Sequence, residues 1–135
     1  MKTSSILNIV SKFLFPIILL FGGYIIFYGD TSPGGGFQGG AIIATAFILI
    51  AFIDNEKKLN VSFLLKLEKF FFLLLLLLCS LSMFTRGEIF TNFVSDKYAS
   101  IFKRIFLVSL NSIIGIKVAA GLTAIFSIFI KEGKQ

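Results

Sequence analysis

Lys117 is the side chain with the most evident chemistry, because it lies in the middle of an apolar run from Ile105 to Ile130. About twelve residues separate it from either end, so roughly 18 Å of helix lies on each side. A lysine stem cannot snorkel that far, and a charge at that depth costs at least about 2.5–3.5 kcal/mol. At helical spacing Ile113, Ala120, Gly121 and Ala124 share its face, so it points into space cleared by small residues. Two roles fit: a buried charge that ties helices together, or a member of an ion or proton path. The carboxylates Asp30, Asp54, Glu56, Glu68, Glu88, Asp96 and Glu132 all fall near the ends of apolar runs. Lys117 is therefore expected to find its acid on another polypeptide.

Asp30 is the second candidate, three residues ahead of Pro33-Gly34-Gly35-Gly36-Phe37-Gln38-Gly39-Gly40. It reads either as a turn-forming or capping acid or as a carboxylate that draws a cation toward exposed backbone dipoles. The glycines permit a tight turn and very close backbone contact, at a large cost in conformational entropy. Gly34 to Gly36 also offer N–H groups at a helix start, where anions bind. No Gly-Lys-Ser/Thr ending follows, which excludes a nucleotide phosphate loop. Gln38, Thr45 and Asn111 are uncharged polar residues at or inside apolar runs. They suit inter-helix hydrogen bonds, typically worth under about 2 kcal/mol each, or the lining of an ion path. Lys117, Asp30, Asn111 and Thr45 are thus the ion-path candidates.

Histidine is absent and cysteine occurs once, at Cys79. The commonest general base and metal ligand are missing, and no intrachain disulfide can form. No catalytic residue, metal site or cofactor is expected.

The elements that position these residues are set by composition. The chain has 135 residues, is 56% hydrophobic and contains 18 Phe, with a mean hydropathy of +0.95. No water-soluble domain of this size hides so much apolar surface, so the bilayer is the solvent. The apolar runs predict an all-α membrane protein, a single domain over 1–135 with about four spans of about 20 residues. The spans are 6–28, 36–53, 63–84 and 105–130. The first is read as a retained helix rather than a cleaved signal, being long, containing Pro16 and lacking a small-x-small cleavage pattern. Lys66, Glu68 and Lys69 make the start of the third amphipathic, suited to the membrane interface. A surface helix is expected over 93–104.

The net charge of +6 is spread singly over the ends of apolar runs. That marks flanks of membrane spans and argues against nucleic-acid binding. Lys2, Lys12, Lys57, Lys58, Lys66, Lys69, Lys131 and Lys134 fall on one side, and Arg86, Lys97, Lys103 and Arg104 on the other. The bias puts both termini in the cytoplasm. Small residues recur every fourth position in span 2 (Gly36, Gly40, Ala44; Ala41, Thr45) and in span 4 (Ala120, Ala124, with Gly121 beside them). Such stripes let helices approach closely in lipid, within this chain or against neighbouring subunits.

The stretch Tyr28-Gly29-Asp30-Thr31-Ser32-Pro33 through Gly40, followed by an Ala/Ile-rich helix, resembles the signature of the B subunit of Mrp (Mnh)-type sodium/proton antiporters. Gly115-Ile116-Lys117-Val118-Ala119-Ala120-Gly121 is similar to that family's last-helix pattern. The same module recurs in membrane arms of energy-converting hydrogenases and related respiratory complexes. One departure stands out: the family usually has His where this chain has Asp30, so no imidazole role carries over. The resemblance implies a small non-enzymatic subunit of a multisubunit complex in the cytoplasmic membrane of a prokaryote. Its partners would be other small membrane subunits and large antiporter-like subunits, and the transported ions Na⁺ and H⁺. Pro33 to Gly40, Gly115 and Gly121 would seat it against its neighbours.

Overall fold

A computed structural model of the chain describes residues 5–53, 59–86 and 100–133. Its elements are four helices: α1 (Ser5–Phe27), α2 (Gly36–Ile53), α3 (Val61–Arg86) and α4 (Ser100–Glu132). The protein is an all-α membrane bundle, as its apolar runs dictate. By length and composition α1, α2 and Lys103–Glu132 of α4 can each cross a membrane. The chain was expected to hold about four such helices. α3 differs because Lys66, Glu68 and Lys69 precede its run of Phe and Leu. The surface helix expected over 93–104 lies mostly outside the described residues, and Ser100 to Arg104 are instead the first turn of α4.

Within the bilayer each polar group has to be satisfied by the protein itself. Thr45, Ser80, Ser109, Ser112 and Ser127 donate their hydroxyls to a carbonyl one turn back, at 2.6–2.9 Å. Asn60 caps α3, its Oδ1 accepting from the Phe63 amide at 3.1 Å, the third position of the helix.

Small residues decide which helices meet. Gly36, Gly39, Gly40 and Ala44 of α2 are buried. Gly36 and Gly40 lie against α4, at Asn111 and Gly115, while Gly39 lies against Gly22 and Ile26 of α1. Residue numbers rise together along α2 and α4, so these two run parallel, with α1 antiparallel to α2. Ile26 reaches Gly115 as well, which closes a three-helix junction. The stripe at Gly36, Gly40 and Ala44 therefore packs within this chain. α3 stands apart: among the described residues it packs on α4 and makes no contact with α1 or α2. A cleft of about 390 Å³ separates it from α2, between Ile43 and Phe47 on one side and Phe63, Leu64 and Leu67 on the other.

Two adjacent glycines in α1 test this packing. A Cβ on Gly22 would fall 2.7 Å from Ile43 and 3.0 Å from the Gly39 carbonyl, whereas one on Gly23 meets nothing within 4 Å. Gly23→Ala should be neutral or stabilise by about 0.5–1 kcal/mol, the usual gain in a helix interior. Gly22→Ala should destabilise by roughly 1–3 kcal/mol through overpacking. Thermal melts of the two purified variants check both signs.

Candidate functional site

Lys117 sits near the centre of the Lys103–Glu132 span. Its Nζ lies 3.0 Å from Glu68 Oε1, and each side chain is 27% exposed. The Phe72 ring, one turn further along α3, has its centroid 5.1 Å from the same ammonium. Gly121 lies under the pair, where a Cβ would meet Glu68 Cγ at an ordinary 3.5 Å. The expectation that Lys117 has no acid of its own chain is corrected. Glu68 was placed at the interface because charges ended an apolar run. α3 in fact starts deep enough along α4 to bring its second turn level with Lys117. Lys66 and Lys69 come to that level too, but on the side of α3 turned away from α4, and both are exposed.

A second polar centre lies at the other end of α2. Tyr28 to Pro33 form a turn in which the Thr31 and Ser32 amides both donate to the Tyr28 carbonyl, at 3.0 and 2.8 Å. Asp30, two residues after Tyr28, is turned inward, its side chain 6% exposed. Arg104 Nε forms an ion pair with its Oδ2 at 3.3 Å, with the guanidinium 5.9 Å from the Tyr28 ring centroid. The other oxygen, Oδ1, is buried without a hydrogen-bond partner. Such an atom is costly unless something polar or charged reaches it.

The glycine segment turns here for a backbone reason. Gly34 and Gly35 have φ of 135° and 142°, a region in which a Cβ is strained. Asn111 of α4 then receives the start of α2, its Oδ1 accepting from the Gly36 amide at 3.4 Å. Gly35, Gly36, Gly39 and Gly40 face inward, whereas Pro33, Phe37 and Gln38 are exposed.

The structure thus brings Asn111 and the glycine turn together, with Asp30 beside them, and sets Lys117 about 9 Å further along α4. Thr45 joins neither centre, being exposed and bonded to the Ile42 carbonyl. Glu68, Phe72 and Arg104 were missed. The one available signal was Glu68 between two lysines, four residues ahead of an aromatic on the same helical face. No group of His, Cys, Asp and Glu that could hold a metal ion occurs among the described residues.

Comparison with known proteins follows the same residues. The model of a domain related to the MnhB subunit of Na⁺/H⁺ antiporters matches residues 6–124. An uncharacterized protein of Methanocaldococcus jannaschii is 42% identical over 128 residues, covering 84% of this chain and 49% of that protein. A Staphylococcus epidermidis protein carrying the name antiporter subunit mnhB2 is 47% identical over 62 residues, covering 43% of this chain and 44% of its own length. The like-named protein of Staphylococcus aureus is 43% identical over 53 residues, 39% of this chain and 38% of its own. The chain spans about half the length, or less, of these relatives. No solved structure matches it.

Proposed function

Since this chain belongs to the family of domains related to the MnhB subunit of Na⁺/H⁺ antiporters, we propose that it is a non-enzymatic subunit of a multisubunit complex exchanging Na⁺ for H⁺ across the cytoplasmic membrane of a prokaryote. Large antiporter-like subunits carry the main proton relays, and this subunit contributes to assembly and to the ion path. Both termini face the cytoplasm, in keeping with the lysine bias. The single observation that carries the reading is the Lys117–Glu68 pair, 3.0 Å apart beside the centre of a membrane span.

Such a pair responds to its surroundings. Two opposite charges at this separation attract far more strongly in a low dielectric than in water, while each is costly alone. A cation or proton that neutralises Glu68 releases Lys117, which must then turn to another acid. Ion occupancy is coupled in this way to the seating of α3 on α4. Asp30, with one oxygen unpartnered, admits a cation at the far end of the bundle.

The test is purification of the chain from native membranes and identification of what accompanies it. Large antiporter-like subunits and several small ones are expected, without a metal-cluster protein. A metal-cluster protein among them would assign the module to a hydrogenase arm, and a chain active alone would refute the reading. Asp30→Asn should raise the Na⁺ concentration needed for half-maximal exchange several-fold, measured by dye fluorescence in everted vesicles. An unchanged Na⁺ dependence removes Asp30 from the path.

A further inference from the structure

The Lys117–Glu68 and Arg104–Asp30 pairs differ in how their partners share the surface. Lys117 and Glu68 are equally exposed, at 27% each. In the other pair Asp30 is 6% exposed and Arg104 53%, so a withdrawn carboxylate is covered by a guanidinium that is half outside. A withdrawn carboxylate is costly unless its charge is matched, whereas an exposed partner is held only weakly. The contact agrees: Nε lies 3.3 Å from Oδ2, longer than the ~2.7–2.9 Å of strong charge-assisted bonds. The two-pronged grip that arginine often takes on a carboxylate is not made, because Oδ1 has no hydrogen-bond partner. Asp30 is also the fixed member. Its turn is tied to the Tyr28 carbonyl by the Thr31 and Ser32 amides, and Gly29 before it backs onto Gly35 and Asn111 with no room for a Cβ. Arg104 arrives on a long unbranched stem, steadied by the Tyr28 ring at 5.9 Å, close to the ~6 Å limit of cation–π attraction. The guanidinium is the partner free to move.

We propose that Arg104 is a tethered counter-cation that competes with an incoming monovalent cation for the Asp30 carboxylate, and so sets the concentration at which that site fills. With the guanidinium in place the charge of Asp30 is matched. When it swings outward the carboxylate is uncovered and draws a free cation in its stead. The apparent affinity for a ligand falls with the fraction of time its site is open, so the arginine raises the Na⁺ level that the site requires. The inference rests on the reading that Asp30 admits a cation, and adds what that cation displaces.

The test is Na⁺/H⁺ exchange in everted vesicles that carry the intact complex, with choline chloride holding ionic strength constant so that screening does not imitate competition. Co-purification of the other subunits is checked for each variant. Arg104→Gln should lower the half-maximal Na⁺ concentration about fivefold, the lower end of the usual coupling between two ligands. That direction is opposite to the one expected of Asp30→Asn. Arg104→Lys keeps a charge and should stay close to the unsubstituted chain; a shift as large as that of Arg104→Gln would assign the effect to packing and overturn the proposal. In the Asp30→Asn background Arg104→Gln should change nothing, since no carboxylate is left to compete for. Tyr28→Leu removes the ring that steadies the guanidinium and should also lower the Na⁺ requirement, which keeps the test decisive if Arg104→Gln does not assemble. A Na⁺ requirement that rises or stays put in these variants, or a fall in maximal rate alone, while Asp30→Asn raises the requirement, overturns the competition and leaves the cation reading standing. If Asp30→Asn leaves the requirement unmoved as well, both fall.

Discussion

Lys117→Met should abolish most of the Na⁺/H⁺ exchange of the assembled complex, with a fall of at least about tenfold, equivalent to about 1.4 kcal/mol on the limiting step. The decisive comparison is with Glu68→Gln and with the double variant. Breaking a fully buried pair typically costs about 3–5 kcal/mol, and replacing both partners is often neutral. Each side chain here is 27% exposed, so a single change should weaken the seating of α3 by roughly 1–3 kcal/mol. The double variant should recover the melting temperature of the purified complex yet stay inactive in everted vesicles. Recovery of both stability and exchange would reduce the pair to a tie between helices. Loss of the complex with either single variant would say the same.

Gly40→Ala has the largest expected effect on structure. A Cβ there would lie 2.5 Å from the Gly115 carbonyl oxygen and 3.0 Å from Gly115 Cα. Those are backbone atoms of a facing helix, which cannot rotate away as a side-chain tip would. α2 and α4 have to separate, and the close packing that replaces a hydrophobic drive in lipid goes with them. Overpacking of this kind costs roughly 1–3 kcal/mol, occasionally more. The separation also pulls the Gly36 amide from Asn111, whose contact at 3.4 Å is already long. The expected result is loss of most of the protein from membranes or a sharply lowered melting temperature. Gly121→Ala, with 3.5 Å of room, should be tolerated and serves as the matched control on α4.

Long apolar runs made the helices legible. α1 and α2 begin and end within a residue of the expected 6–28 and 36–53, because in a bilayer length and hydropathy leave little else to choose. The stripe Gly36, Gly40, Ala44 was legible for a similar reason, since only small residues permit contact at that spacing. The contact of α1 with the Gly39 side of α2 was not. Gly22 and Gly23 are identical neighbours, and only the rotation of the helix decides which one faces α2. The Lys117–Glu68 pair was illegible because depth is a tertiary property. A charge that ends an apolar run reads as interfacial, and nothing local records that the third helix starts well along the fourth. Arg104 escaped for the same reason, its partner Asp30 lying across the bundle.

The isolation of α3 sets an order of events during synthesis. Helices α1 and α2 can pair through Gly22 and Gly39 as soon as both are in the membrane. The parallel partner of α2 arrives two helices later, and α3 has no earlier surface to rest on. At about 5–20 residues per second, Glu68 precedes Lys117 by roughly 2–10 s. For that interval the acid of the third helix is unmatched, and the helix made last is the one that gives it a place.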